Sequence, residues 1–110
     1  MSIYGDYIKE LRGDEIIENR QGFVTYRFIN DGKTVYVIDV YIKPEFRNTG
    51  AMRAMADEVV KHAKERGCVE LWGTVVPYLR NSTISVKALL GYGLSLHSSA
   101  ADMIVFRKDI

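Results

Sequence analysis

Between residues 42 and 53 the chain reads IKPEFRNTGAMR: an apolar strand passes through Pro44 into Arg47-Asn48-Thr49-Gly50 and directly into an amphipathic helix. A strand that opens through a glycine-containing turn into a helix start leaves several backbone N–H groups without acceptors, all directed at one point. Such a point is an anion cradle. Arg47 beside it adds a planar cation matched to phosphate oxygens, and together they point to a pyrophosphate site. On the turn alone, an ordinary helix start with a surface arginine is an equal reading.

The hydrophobic period changes across this turn. Upstream, short runs at 7–11, 15–18, 23–28 and 34–43 read as strands, separated by turn signals at Arg12-Gly13-Asp14, Gln21-Gly22 and Asn30-Asp31-Gly32. Connections that short force an antiparallel meander. From Gly50 to Arg66, Met52, Met55, Ala56, Val59 and Ala63 share one helical stripe, with Arg53, Asp57, Lys61, Lys64 and Glu65 away from it, and Gly67 stops the helix. Residues 68–76 follow as a strand, most simply parallel to the one before it in a right-handed crossover. Asn81 or Ser82 can cap a second helix bearing Ile84, Val86, Leu89 and Leu90, ending near residues 91–93. Strands near 94–97 and 103–107 close the sheet. The expected class is α/β (α+β), a single domain over residues 1–110 with a mixed sheet: antiparallel meander, β-α-β crossover, short helix and C-terminal hairpin.

Charge and cysteine usage narrow the function. Fifteen Lys and Arg against 14 Asp and Glu leave +1, so no overall field draws the chain to nucleic acid or to an anionic membrane. Any function resting on charge is local. Cys68, the sole cysteine, excludes an internal disulfide, fits a reducing compartment and reads as a core residue. There is no metal-type cysteine spacing, no signal-peptide run in MSIYGDYIKE and no stretch of about 18 apolar residues. No metal site and no membrane span are expected, and the location is read as cytoplasmic.

The meander, phosphate-type turn, helix, parallel strand, short helix and final hairpin together resemble the GNAT superfamily of N-acetyltransferases, over roughly residues 22–108. The most specific part of the resemblance is the acetyl-CoA signature: an apolar-x-Pro lead-in, then Arg or Gln, two residues, Gly, one residue, and Gly or Ala. Ile42-Lys43-Pro44-Glu45-Phe46 fits the lead-in, and Arg47, Asn48, Thr49, Gly50 and Ala51 fit the rest of the signature. Met52 departs from it, bringing bulk where the family prefers a small residue. The second signature, an Asn before a short helix ending in Tyr-x-x-x-Gly-Phe, is met in part by Asn81 and Leu90-Gly91-Tyr92. Lys87 stands where the family often has a Tyr that protonates the departing thiolate. Tyr78 and Tyr92 are nearby in sequence, and each is either a substitute acid or a half-buried packing tyrosine.

The resemblance implies acetyl-CoA as cofactor, with its diphosphate at Arg47, Asn48, Thr49, Gly50, Ala51, Met52 and Arg53, and with Asn81 as a further contact. It also implies a pantetheine arm between two splayed strands, 37–43 and 69–74, and an acetyl carbonyl near the backbone of Val40, Tyr41 and Ile42. Amide formation from a thioester needs an uncharged amine, a polarised carbonyl and a leaving thiolate, and positioning by oriented N–H donors is the largest contribution. Asp39 is the candidate base. It sits mid-strand between Ile38 and Val40, where an unpaired carboxylate is costly. Strict alternation puts it on the face of Val35, Val37 and Tyr41, where partial burial would make it a workable base. The other readings are a cross-strand partner of Arg27 or Lys9, or a solvated edge.

His62, one turn after Glu58, reads as a solvated histidine, and His97 as structural although closer to a groove; Trp72 and the methionines read as core. The implied function is acetyl-CoA-dependent N-acetylation of an unidentified amine on a protein, peptide or small molecule. The alternative, motivated by Met52 and Lys87, is an inactive module that binds CoA or a partner. About twenty residues precede the meander, too few for a roof of paired helices. The acceptor groove is therefore expected to be open, for a protein or peptide amine or for a homodimer that supplies the missing wall. In size and abbreviated start the chain also resembles short acetyltransferase-like proteins of bacterial viruses.

Overall fold

In the computed structural model, which describes residues 3–77, 82–100 and 102–110, the first element is a helix, α1 (Ile3–Arg12). It is followed by β1 (Glu15–Asn19), β2 (Gly22–Ile29), β3 (Thr34–Ile42) and a 3-10 turn at Pro44–Phe46. Then come α2 (Ala51–Glu65), β4 (Glu70–Val75), α3 (Ser82–Gly91), β5 (Ser95–Ala100) and β6 (Met103–Asp109). Six strands form one sheet ordered β1-β2-β3-β4-β6-β5. β3 and β4 are parallel across the α2 crossover, and every other pair is antiparallel. Meander, crossover and closing hairpin are those the periodicity predicts. Among the described residues, no helix is long and apolar enough to cross a membrane.

Residues 7–11 are a correction: they form the second half of α1 and not a strand. A five-residue window hides the spacing of three and four that Tyr4, Ile8 and Leu11 show over the whole segment. α1 buries Gly5 and Ile8, and its chain turns at Gly13, where φ is +73° and the N–H donates to the Lys9 carbonyl at 2.8 Å. A left-handed glycine at this point ends the helix without Cβ strain.

The turn delivers Asp14, 2% exposed, to Arg27 Nε at 2.5 Å and Arg12 Nε at 3.5 Å. Desolvating a carboxylate is costly unless it is paired, so this cluster fixes the α1–β1 corner to β2. The hydrogen bond to Asp14 pushes the Arg27 guanidinium's pKa up, ahead of the opposing effect of burial. Asp14→Ala removes the acceptor from a half-exposed arginine and is expected to lower stability by about 2 kcal/mol, read as a shifted urea midpoint at constant slope.

The core lies between the sheet and α2. Val24 and Tyr26 of β2, Val35 and Ile42 of β3, and Leu71 and Val75 of β4 meet Ala51, Met55, Val59 and Ala63, one row of residues four apart along α2. Met52 is not part of that row. It is 40% exposed and lies at the rim, one residue on from Ala51.

His62 is a second correction. It is half-buried, its Nδ1 lies 2.6 Å from the Tyr26 hydroxyl, and its ring meets those of Tyr26 and Phe28 edge-on at 5.8 and 5.6 Å. Helical spacing places His62 at the charged border of α2 but says nothing of β2, which supplies the buried hydroxyl that needs a partner.

Candidate functional site

β3 and β4 pair only from Thr34 opposite Glu70 to Val37 opposite Gly73, yet β3 runs on to Ile42 and β4 to Val75. Past Val37 and Gly73 the two strands diverge, and ladder groups on their facing edges are not paired with one another. Two local features accompany the split. In the β2–β3 ladder Thr25 faces Asp39 but Tyr26 faces Val37, so Ile38 is an extra residue that bulges and bends β3. At Gly73 an added Cβ would lie 2.7 Å from Leu89 Cδ2, so α3 packs directly on the last paired residue of β4.

The bulge also corrects the placement of Asp39. Val35 and Val37 face α2, but beyond Ile38 it is Val40 and Ile42 that do, while Asp39 and Tyr41 point to the opposite face. A single extra residue inverts every side chain after it, which strict alternation cannot reveal. Asp39 is exposed, and its backbone N–H donates to Thr25 Oγ1 at 3.1 Å. The burial on which the base assignment rested is absent. Arg27 pairs with Asp14 and Lys9 with Glu15, so neither cross-strand cation is engaged as expected, and Asp39 faces solvent from a strand that is not at the sheet's edge.

The turn at the end of β3 has the expected build. Asn48 and Gly50 take φ of +62° and +88°, and Gly50 caps α2 with no side-chain hydrogen bond. The first internal bond of α2 runs from the Ala54 N–H to the Gly50 carbonyl at 3.0 Å. The N–H groups of Ala51, Met52 and Arg53 precede it, and a helix start gives such groups no acceptor of its own. The Thr49 hydroxyl donates to the Phe46 carbonyl and ties down the middle of the turn. Arg47 Nε donates to the Ile42 carbonyl at 2.9 Å, and its guanidinium lies 5.8 Å from the Tyr41 ring centre. The cation is thereby anchored where β3 leaves the split.

A cavity of about 270 Å³ opens between α2, α3 and the diverging strands, with Val37, Val40, Met52, Lys87 and Tyr92 among its lining residues. Arg53 bridges its two helices, donating to the Gly91 carbonyl at 2.9 Å with its guanidinium 5.4 Å from the Tyr92 ring centre. The Tyr92 hydroxyl donates to Asp57 at 2.6 Å, and burial, then Asp57, pushes its pKa up to about 12. Tyr78 and Asn81 lie outside the described residues. His97 is exposed and its ring lies 5.6 Å from that of Trp72. The links from Arg53 to Gly91 and from Tyr92 to Asp57 join residues 38 and 35 apart in sequence, and no local pattern announces them.

Burial also holds the Tyr26 hydroxyl up to about 12, against 10.0 for an unperturbed tyrosine. The unfolded chain therefore releases both tyrosine protons first, so the stability they contribute is complete below pH 10 and is lost as pH climbs toward 12. Thermal midpoints measured across that range are expected to fall, and to fall less in a Tyr26→Phe, Tyr92→Phe double variant.

Chemically, the parts can hold an anion at the start of α2 and an extended, amide-bearing chain against the open edge of β3, as an added strand. The model of the acetyltransferase (GNAT) family matches residues 11–92. The thialysine N-epsilon-acetyltransferase of Bos taurus is 31% identical over 58 residues, which cover 53% of this chain; the match spans only about a third, 34%, of that relative's length. The crystal structure of the PaiA N-acetyltransferase from Thermoplasma acidophilum in complex with coenzyme A superposes with a TM-score of 0.77 at 16% identity, covering 98% of this chain and 69% of that one. That of a GNAT family acetyltransferase from Elizabethkingia anophelis with acetyl-CoA bound gives 0.74 at 16% identity, covering 96% and 82%. At such identities the structures speak for the fold, while the family match runs from α1 to the end of α3. By that match, the chain belongs to the GNAT acetyltransferase family.

Proposed function

We propose that this protein is an acetyl-CoA-dependent N-acetyltransferase. The observation that carries the reading is the split between β3 and β4, which stop pairing at Val37 and Gly73 beside a helix start with no side-chain cap and an anchored arginine. Arg47 and the N–H groups of the segment from Asn48 to Arg53 hold the diphosphate, with Asn81 a further contact. The helix dipole alone contributes about 0.3 to 2 kcal/mol, so the guanidinium and several N–H bonds are needed with it. Met52 keeps its side chain at the rim, which leaves its N–H available. The open backbone of Val40, Tyr41 and Ile42 pairs with the pantetheine amides and orients the thioester. Acetyl-CoA supplies an activated acyl carbon, and the chain's part is chiefly positioning.

The exposure of Asp39 favours water as the base, with Asp39 accepting the proton beyond it. Tyr92 stays protonated at neutral pH and, with Tyr78, is the candidate proton donor. Cys68 is a buried free thiol whose pKa burial pushes up, which suits the inert cysteine of a cytoplasmic protein.

Calorimetry with acetyl-CoA, followed by thiol release across a panel of amines, tests the proposal. Amine-dependent release that vanishes in Arg47→Glu supports it. Binding without release supports the second reading, a CoA-binding module, which the exposed Asp39 and the engagement of Tyr92 with Asp57 favour. No binding removes both.

The acceptor side is proposed to be completed by a protein or peptide, or by a second copy of the chain. α1 supports this with a stripe of Ile3, Tyr4, Tyr7 and Leu11 that is 89, 47, 55 and 59% exposed. Light scattering is expected to show a dimer, or turnover to favour peptides over small amines. A monomer active only on small amines would remove this part of the proposal.

A further inference from the structure

Among the described residues, four that line the cavity carry polar side chains, and three of them are engaged. Arg53 donates to the Gly91 carbonyl at 2.9 Å, the Tyr92 hydroxyl to Asp57 at 2.6 Å, and the Trp72 indole to Glu70 at 2.5 Å. The fourth is Lys87, which among the described residues has no hydrogen bond and no ion pair. Lys87 is itself exposed, at the rim of a cavity whose other lining residues, Val37, Val40, Ala88 and Leu89 among them, are mostly apolar. Its position is also fixed relative to the split. Leu89, two residues on, occupies the space above Gly73, so the segment carrying Lys87 is pinned where β3 and β4 part. A flexible lysine stem with an unengaged head therefore stands at the mouth of the space assigned to the thioester.

We propose that Lys87 is a site of self-acetylation, the first amine that a thioester bound in the split meets. The inference rests on the acetyl-CoA reading above. The Lys87 ammonium first releases a proton to water. Its Nζ lone pair then forms the N–C bond to the thioester carbonyl carbon as the C–S bond breaks, and a proton from that nitrogen passes to the departing thiolate. The products are an amide on Lys87 and free CoA, and no other reactant is required. Amine and thioester held in one cavity react as an intramolecular pair, which is the source of the selectivity over surface lysines.

The test incubates the full chain with acetyl-CoA and maps acetylated lysines by mass spectrometry over time, beside calorimetric titration with CoA. Lys87 is expected to gain its acetyl group at least about tenfold faster than the exposed α2 lysines, Lys61 and Lys64. Its fractional rate is expected to be independent of protein concentration and to fall to the background of those lysines in Arg47→Glu. Lys87→Arg should lose the mark and leave the labelling of Lys61 and Lys64 unchanged. CoA binding with Lys87 labelled no faster than Lys61 and Lys64, or at a rate that rises with protein concentration, overturns self-acetylation and leaves the cofactor reading standing. Absence of CoA binding overturns both.

Discussion

Arg47→Glu is expected to lower affinity for acetyl-CoA by about a hundredfold or more while leaving the fold intact. A charge-assisted hydrogen bond contributes about 1.5 to 3 kcal/mol, and a carboxylate facing a diphosphate adds repulsion of similar size. Together these exceed the roughly 2.7 kcal/mol that a hundredfold loss requires. Arg47 is exposed, and its hydrogen bond within the chain, to the Ile42 carbonyl, lies at the end of a strand, so melting should move little. Arg47→Lys separates charge from geometry. It retains the cation but cannot donate from Nε to Ile42 while also presenting a fork to phosphate, and is expected to lose about tenfold. Wild-type affinity should weaken with added salt, and the Glu variant should lose most of that dependence. If Arg47→Glu binds acetyl-CoA as wild type does, the diphosphate is not held at the start of α2.

The features that could be read from the sequence divide along a physical line. The strand, turn and helix from Thr34 to Glu65 were legible because each signal is local: a glycine with positive φ at the cap, an apolar row every fourth residue, and a glycine beyond the end. The parallel step to β4 followed from the handedness of crossovers. The bulge at Ile38 was not legible. An extra residue shows only in the partner strand's register, and it decides which way Asp39 points. The pairing of His62 with Tyr26 and the lock between Tyr92 and Asp57 were hidden for a related reason: each joins one element to another far along the chain. The glycine turn and the helix start without a side-chain cap were thus visible in the order of residues, whereas the surroundings of the acid and base candidates depended on tertiary packing that the order does not encode. α1 is a milder case, where too short a window concealed a helical spacing.

Gly22→Ala is expected to cost the most stability of any single methyl addition to a described glycine. Gly22 opens β2 opposite Ile42, and its N–H is held by Asn19 Oδ1 at 3.2 Å. A Cβ there would sit 1.9 Å from the Tyr41 carbonyl oxygen and 2.9 Å from the Ile42 Cα. Both are backbone atoms, so no rotamer relieves the overlap and β2 must withdraw from β3. The expected loss is about 3 kcal/mol or more, in the range of severe overpacking. Two other glycines calibrate the claim. At Gly73 the nearest atom is a leucine methyl at 2.7 Å, which can rotate away, and at Gly13 nothing lies within 4 Å although φ is +73°. Each of those alanine variants should cost only about 1 kcal/mol, the first through repacking and the second through backbone strain. The Tyr41 carbonyl belongs to the stretch of β3 that leaves the split, so the Gly22 variant should also weaken coenzyme binding in whatever fraction remains folded. The Gly13 variant should bind normally. Urea midpoints and calorimetry on the three proteins decide the matter. A Gly22→Ala variant as stable as wild type would mean that β2 and β3 do not meet in this register at Ile42, and that the end of β3 which anchors Arg47 is placed differently.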